Sequence, residues 1–544
     1  MSGSENESGV GTETETAQSS KSLEAPGHLL VLSLSGDLTT KAEMTRRQMI
    51  SRLVENLRTS IRQSGRTGKV VPARNRLFVH LDPPIDPPID PTIDPSELKA
   101  SEPNQESLDD QAMASRLARV FGVQSVSLAA SLSWSTQEDI VQAGFRFGES
   151  HVRGQTFRVR ARRVGNRGRN PIRSVPLERE LGALLAPSSG GVDLSNPEVT
   201  VHVEVDLEKA YLFADKTKAY GGLPLGTAGR AVSLISGGFD SPVASWRLLR
   251  RGVELDYVFC NLGGRDHQLE TMTIAKLLAD DWQCGSRPRF HALDFDPMSR
   301  EIQARVKTRY WQVVLKRMMI RAAERIAMEV NAAAIITGEV IGQVSSQTLQ
   351  NLSVISDGAE FPILRPLIGT NKEEIIAEAK IVGTHDLSSK VREYCAIVPK
   401  RPATHARKDA IEREEANIDP SVLEAALANR SKFMLTDINL DAFSSESLAA
   451  TEAEVGDTVI DLRSKAAYDG WHYPEALYLD FAQAIRAYPS FDPKQRYLFY
   501  CEFGLKSAHL ADMMRREGLS ARHIAGGQRE ARRWAEAAGD EAGN

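Results

Sequence analysis

Cysteine is scarce in this chain: Cys260, Cys284, Cys395 and Cys501 are the only four among 544 residues. So few cannot frame a disulfide-stapled fold, which points to a reducing cytosol and to cysteines that matter as thiols. Long apolar runs are missing as well. None approaches the roughly 18 residues of a membrane helix, and the acidic, Ser-rich N-terminus lacks the basic and apolar regions of a secretory signal, so no membrane partner is expected. Nor does one sign of charge dominate: Lys+Arg 67 against Asp+Glu 72 leaves a net charge of -5. An acidic partner would therefore need a local basic face. Gly 39 and Pro 25 are ordinary usage, which excludes collagen-like and wholly disordered chains. No Cys/His spacing makes a zinc site, and no metal-ligating residue is assigned.

What the chain does have is length, enough at roughly 150 residues per domain for three or four domains. Residues 1–27 carry almost nothing apolar and are expected to form a disordered tail. A strand–helix–strand pattern starts at Leu29, and the Pro-rich unit DPPIDPPIDPTIDP opens a surface insertion over 82–111. This sets a first domain at 28–111. Alternating helices and strands then define an α/β module at 112–218. A second series, from AVSLI through VELDYVFCN, RFHALDF and AAIITG, has the short β-branched runs between helices of a doubly wound parallel sheet at 219–408. Residues 409–452, charged and Ala-rich with Pro420 inside, look like a linker, and TVIDLRS, ALYLDF and RYLFYC suggest a smaller α/β unit at 453–540.

Three stretches carry chemistry. Ser236-Gly237-Gly238-Phe239-Asp240-Ser241-Pro242 lies between an apolar strand and an amphipathic helix, so its glycines let N–H groups approach an anion at a helix N-terminus. It lacks the GK[ST] ending of a Walker loop, and a loop that holds pyrophosphate as a leaving group fits better than γ-phosphoryl transfer. SGGFDSP resembles the loop of the PP-loop ATP pyrophosphatases. Gly338-Glu339 ends a later strand, GQVSSQTLQNL opens a helix, and Lys316 and Lys372 are lysines that singly would read as solvated charges.

Cys501 opens CEFGLKSAHLA at a helix start, where donors and dipole favour a thiolate, and Gly504, Lys506 and Ser507 surround it. With Asp461 and Arg463 of IDLRS upstream, this loop resembles that of rhodanese domains, whose cysteine carries a persulfide. Cys395, in REYCAIVPKRP, is expected on a loop, and Cys260 in the core. Between Arg146 and Arg173 the only acidic residue is Glu149, and Arg158, Arg160 and Arg162 of TFRVRARRV share one strand face, with Arg163 beside them. That excess reads as a nucleic-acid footprint, or, taken alone, as a solvated arginine face.

With SGGFDSP, GEVIGQVSSQTLQNL, REYCAIVPK and CEFGLKS in that order, the chain resembles the tRNA 4-thiouridine synthetases. The resemblance implies an N-terminal ferredoxin-like domain and a THUMP domain that bind tRNA, a PP-loop adenylation domain, and a rhodanese extension present in some members. It implies ATP with Mg²⁺, and assigns Leu234, Ile235, Lys316, Gly338 and Gln347 to ATP beside the loop residues Ser236 to Phe239 and Ser241. Asp240 and Lys372 are implied for adenylation, Cys501 as persulfide carrier, and Cys395 as its disulfide partner during turnover. A cysteine desulfurase is the implied sulfur donor, and the thiamine sulfur-carrier protein a second acceptor. Sulfur could attack directly from the persulfide or as released sulfide. Two other readings remain: another PP-loop ligase or amidotransferase, and an RNA-binding sulfur carrier without adenylation.

Overall fold

The computed structural model describes residues 28–73, 76–82, 105–164, 170–214, 216–391, 399, 401–438, 449–502 and 504–541. The expected tail at 1–27, most of the Pro-rich insertion, and Cys395 lie outside the described residues. The chain divides into two compact units. One gathers the chain up to Leu34 with Ile61–Ala118 and Gln124–Lys218; the other gathers Ser35–Ser60, Arg119–Val123 and everything from Ala219 onward.

The first unit holds two sheets. Strands β1 (Leu29–Leu34), β2 (Gly68–Pro72), β3 (Arg76–Leu81) and β4 (Val123–Leu128) form one, and β5 (Ala130–Ser133), β6 (Thr156–Arg163), β7 (Gly191–Val192), β8 (Val199–Val205) and β9 (Lys209–Phe213) form the other. The short β10 (Thr217–Lys218) returns to the first sheet, giving the orders β10-β4-β1-β3-β2 and β5-β9-β8-β6-β7. Two expectations change here. The insertion does not run to 111, because helix Gln105–Ala118 has already begun and buries Met113, Ala114 and Leu117. The stretch VQSVSLAASLSW is two strands in two sheets, so the first sheet reaches past the expected boundary at 112. Val123 and Val126 are buried in β4 and Ala130 and Leu132 in β5, and a continuous alternating run carries no signal of where a chain changes sheets.

In the second unit, β11 (Arg230–Leu234), β12 (Glu254–Asn261), β13 (Arg289–Asp294), β14 (Ile335–Ile336), β15 (Ile363–Leu364) and β16 (Ser431–Met434) form a sheet of order β15-β14-β11-β12-β13-β16. All pairs are parallel except β13 with β16. Successive residues feed different cores: Val232, Val258, Leu293 and Ile335 pack on one face, Ala231, Tyr257, Phe259 and Ile336 on the other. Both faces are covered by helices, which is why these strands read as continuous apolar runs.

The linker expected from 409 is corrected. Helices Lys408–Glu415 and Pro420–Ala428 precede β16, and Ile411, Ile418, Ala426 and Leu427 join the core that contains Val232. Pro420 starts its helix instead of breaking one, with Asp419 capping through Ser421 N–H. Residues 439–448 lie outside the described residues.

The last strands, β17 (Ala449–Ala450), β18 (Asp457–Asp461), β19 (Leu477–Tyr478), β20 (Arg496–Tyr500) and β21 (Ser520–Ile524), make a parallel sheet of order β17-β21-β20-β18-β19. No helix among the described residues is long and apolar enough to cross a membrane.

Candidate active site: a phosphate cradle and a buried thiol

β11 ends at Leu234, and Ile235 N–H still bonds to Val258 O at 3.0 Å before the chain leaves the sheet. Residues Ser236 to Phe239 then turn into helix Asp240–Leu249. Ser236 N–H donates to Ser241 Oγ at 2.8 Å and so closes the loop on its helix. The N–H groups of Gly237, Gly238 and Phe239 have no acceptor among the described residues. Unpaired donors converging on a helix start form an anion site.

Two close contacts fix this cradle. A Cβ on Gly338 would stand 2.7 Å from Ser241 N and 2.8 Å from Asp240 C, so only glycine lets the end of β14 lie against the helix start. A Cβ on Gly237 would meet Val391 Cγ1 at 2.0 Å, which shows that the chain returns over the loop at Val391. Asp240 is held from two distant segments: Lys372 Nζ at 2.8 Å, from the first turn of helix Lys372–Val382, and Gln343 Nε2 at 2.9 Å. Lys372 also lies 5.6 Å from the centre of the Phe239 ring.

Beside the cradle, Glu339 accepts from Lys316 at 2.9 Å, Arg365 at 2.8 Å and Thr337 at 3.1 Å. Burial would push its carboxyl up, but Lys316 and Arg365 outweigh it and hold Glu339 below the usual glutamate range. Lys316 is thus a fixed cation next to Gly338. Gln347 lies in a short turn, Ser345–Gln347, and its side-chain carbonyl oxygen is buried without a partner among the described residues. A buried unmet acceptor at such a site points to a missing donor. Sequence reasoning assigned Lys316, Lys372, Asp240, Gly338 and Gln347. It gave no role to Gln343 or Arg365, whose only signal was their place in polar stretches after strand ends.

The thiol lies on the separate sheet. Cys501 follows β20 and is 2% exposed. Gly504 N–H points at its sulfur at 3.1 Å, and Ser507 Oγ lies 3.7 Å away. Gly504 has φ 92, and a Cβ there would crowd Gly526 N at 3.0 Å, so glycine is required at the start of helix Leu505–Arg516. Beneath the loop, Asp461 and Arg463 form a fully buried ion pair at 2.6 Å, and Tyr500 Oη donates to Asp461 at 2.7 Å. Burial first, and then this bond, push the Tyr500 phenol up, so it stays a donor that anchors the residue before Cys501. Half-buried Cys260 packs against the core that contains Val232, and desolvation pushes its thiol up, away from reactivity.

In the first unit, β6 buries Phe157 and Val159 while Arg160 and Arg162 are exposed. Arg158, on their face, donates to Thr200 Oγ1 at 3.1 Å and Leu194 O at 3.0 Å; Arg163 is half-buried. His202 of β8 lies opposite Arg160 of β6 in the sheet. Burial, with Lys216, Arg158, Arg76 and Arg160 around it, pushes its pKa down to about 3. The cations converge on one patch.

Residues 226–419 match the family described as Thiamine biosynthesis protein (ThiI), residues 135–215 the THUMP domain, and residues 445–532 the rhodanese-like domain. The chain is 34% identical over 511 residues to the tRNA sulfurtransferase of Desulfurococcus amylolyticus, covering 91% of this chain and 97% of that protein. The chain belongs to the tRNA sulfurtransferase family. Within that family it is also 31% identical to the tRNA sulfurtransferase of Marinobacter nauticus, over 90% of this chain and 97% of that one. Among solved structures, a 4-thiouridine synthetase–RNA complex with bound ATP matches with TM-score 0.61 at 29% identity, covering 74% of this chain and 99% of that one. The family accounts for the three kinds of domain, THUMP, PP-loop type and rhodanese, that the sequence motifs imply.

Proposed function

We propose that this chain is an ATP-dependent sulfurtransferase that converts a tRNA uridine, at position 8, to 4-thiouridine. The observation that carries this reading is the presence in one chain of a phosphate cradle with Asp240 clasped by Lys372 and a donor-wrapped thiol at Cys501. The relatives named above and the arginine face of β6 support tRNA as the acceptor.

The residues fit a nucleoside triphosphate: three unpaired N–H groups, a glycine contact that no side chain could replace, and the unmet acceptor of Gln347. Leu234, Ile235 and Ser236 to Ser241 would line it, with Lys316 and Lys372 offsetting phosphate charge. ATP supplies one thing, an AMP leaving group on O4 of the uracil. Mg²⁺ would enter with the phosphates and offset their charge, and Asp240 is the loop carboxylate that would face it.

Cys501 takes sulfur from a cysteine desulfurase as a persulfide. In the direct route, its terminal sulfur attacks C4 and AMP departs with the C4–O4 bond. The Cys395 thiolate then attacks Sγ of Cys501, breaking the S–S bond to the product sulfur, which leaves on the base. A Cys395–Cys501 disulfide remains for a reductant to open. In the alternative route, Cys395 attacks first and frees sulfide, which then displaces AMP. The rhodanese-like domain also supports a second acceptor, the carboxyl terminus of the thiamine sulfur-carrier protein. The setting is the reducing cytosol.

The test is ATP/pyrophosphate exchange that depends on added tRNA, followed by nucleoside mass spectrometry. Exchange without tRNA would favour a metabolite ligase, and thiolation without ATP would leave only a sulfur carrier.

A further inference from the structure

The rhodanese-like sheet meets the adenylation sheet along a built seam. His523 of β21 bonds through Nε2 to Asp266 Oδ2 at 2.6 Å, and His509 Nε2 lies 3.3 Å from Asp296 Oδ1. Both imidazoles are about nineteen-twentieths buried, at 5% and 6% exposure. Gly264, in the left-handed region at φ 77, begins helix Gly264–Trp282; a Cβ there would stand 3.1 Å from His509 Cα. The two surfaces therefore approach at backbone distance. Between them lies a cleft of about 200 Å³ lined by Asn261, Asp294 and Arg300 from one side and Tyr488, Asp512 and Glu517 from the other.

The placement of these residues gives the seam its meaning. Asp266 and Asp296 start the helices that follow β12 and β13, so they lie at the carboxyl ends of the strands, the same edge that carries the phosphate loop after β11. Open α/β sheets bind ligands at that edge. His509 belongs to the helix that begins four residues after Cys501, and His523 to the strand leading into Gly526, which packs against Gly504. The two elements that shape the thiol loop are the two that carry the seam.

We propose that the sulfur-carrying domain works from a defined seat on the ligand edge of the adenylation sheet of its own chain, and that Asp266 and Asp296 are positioning residues for sulfur delivery. This rests on the sulfurtransferase reading above. A seated carrier acts at a high effective concentration and in one orientation, which a freely swinging one lacks.

The test uses the full chain with Asp266→Ala and Asp296→Ala combined. Amide exchange over 264–270 and 505–513 should rise while β11 and β20 stay protected. Single-turnover transfer from a preloaded Cys501 persulfide to tRNA should slow by about tenfold or more, with tRNA-dependent exchange and persulfide loading unchanged. Transfer at the parent rate or faster, unchanged amide exchange, or equal loss of exchange and transfer would each overturn the seat. Absence of tRNA-dependent exchange in the unaltered chain would instead sink the underlying reading.

Discussion

The phosphate loop and the thiol loop solve the same local problem in opposite ways. Each leaves a central parallel strand, β11 or β20, and turns into a helix, so each presents backbone donors where negative charge is favoured. In the first, the N–H groups of Gly237, Gly238 and Phe239 have no acceptor among the described residues. In the second, Gly504 N–H already points at Cys501 Sγ. One turn is open to a charge brought from outside, and the other is closed around a sulfur the protein carries itself. The difference explains why Lys372 and Lys316 stand beside the first loop, whereas a wholly buried pair, Asp461 with Arg463, underpins the second.

The comparison is broken most completely by Cys501→Ala. Thiolation should fall at least about a thousandfold while tRNA-dependent ATP/pyrophosphate exchange persists, because the proposed reaction uses the two loops in different steps. Thiolation at the parent rate with a desulfurase as donor would remove Cys501 from the reaction. Gly338→Ala sharpens the other side. Its Cβ would strike the backbone of Asp240 and Ser241, and exchange should drop by about a hundredfold with persulfide loading of Cys501 intact.

Acid should separate the two sheets next. Burial pushes His267 down to about 4, and burial with Arg430, Arg289 and Lys432 nearby pushes His291 down to about 3. Both folded values lie below the unfolded 6.5, so the unfolded chain binds more protons in between, and stability falls as pH drops from 6.5 and levels off near 3. Each histidine contributes up to about 1.4 kcal/mol per pH unit in that window. Denaturant titrations at pH 7 and 5 should show the loss, and His291→Gln should reduce it; an unchanged slope would contradict the buried neutral histidine. The smallest effect is expected from Ser507→Ala. Its 3.7 Å contact to the sulfur is long, and persulfide transfer should slow only about fivefold, equivalent to ~1 kcal/mol. A loss as large as that of Cys501→Ala would mean that the hydroxyl does more than hold the thiol.

Much of the site was legible because its parts are short. SGGFDSP and CEFGLKS each follow a strand closely and pass from a turn into a helix start within seven residues, and the alternation of Arg158, Arg160 and Arg162 follows from strand geometry alone. The stretch 409–434 was not legible in the same way. Its charge and alanine content suit a linker, yet Ile411, Ile418 and Leu427 find a core and β16 finds an edge beside β13. Whether such sparse apolar residues are buried depends on a surface built elsewhere in the chain. The same holds for VQSVSLAASLSW, whose single alternating pattern serves two sheets.

By itself the sequence determined the domain types, the two loops and the residues that could carry charge or sulfur, since these rest on contacts within a few positions. Tertiary structure alone decided the partners. Lys372 reaches Asp240 across 132 positions, Arg365 and Lys316 meet on Glu339, and His523 finds Asp266 across 257. Pairings of that separation are set by which strands lie side by side and which helices cover them, and no local pattern encodes a neighbour that the chain reaches only after folding.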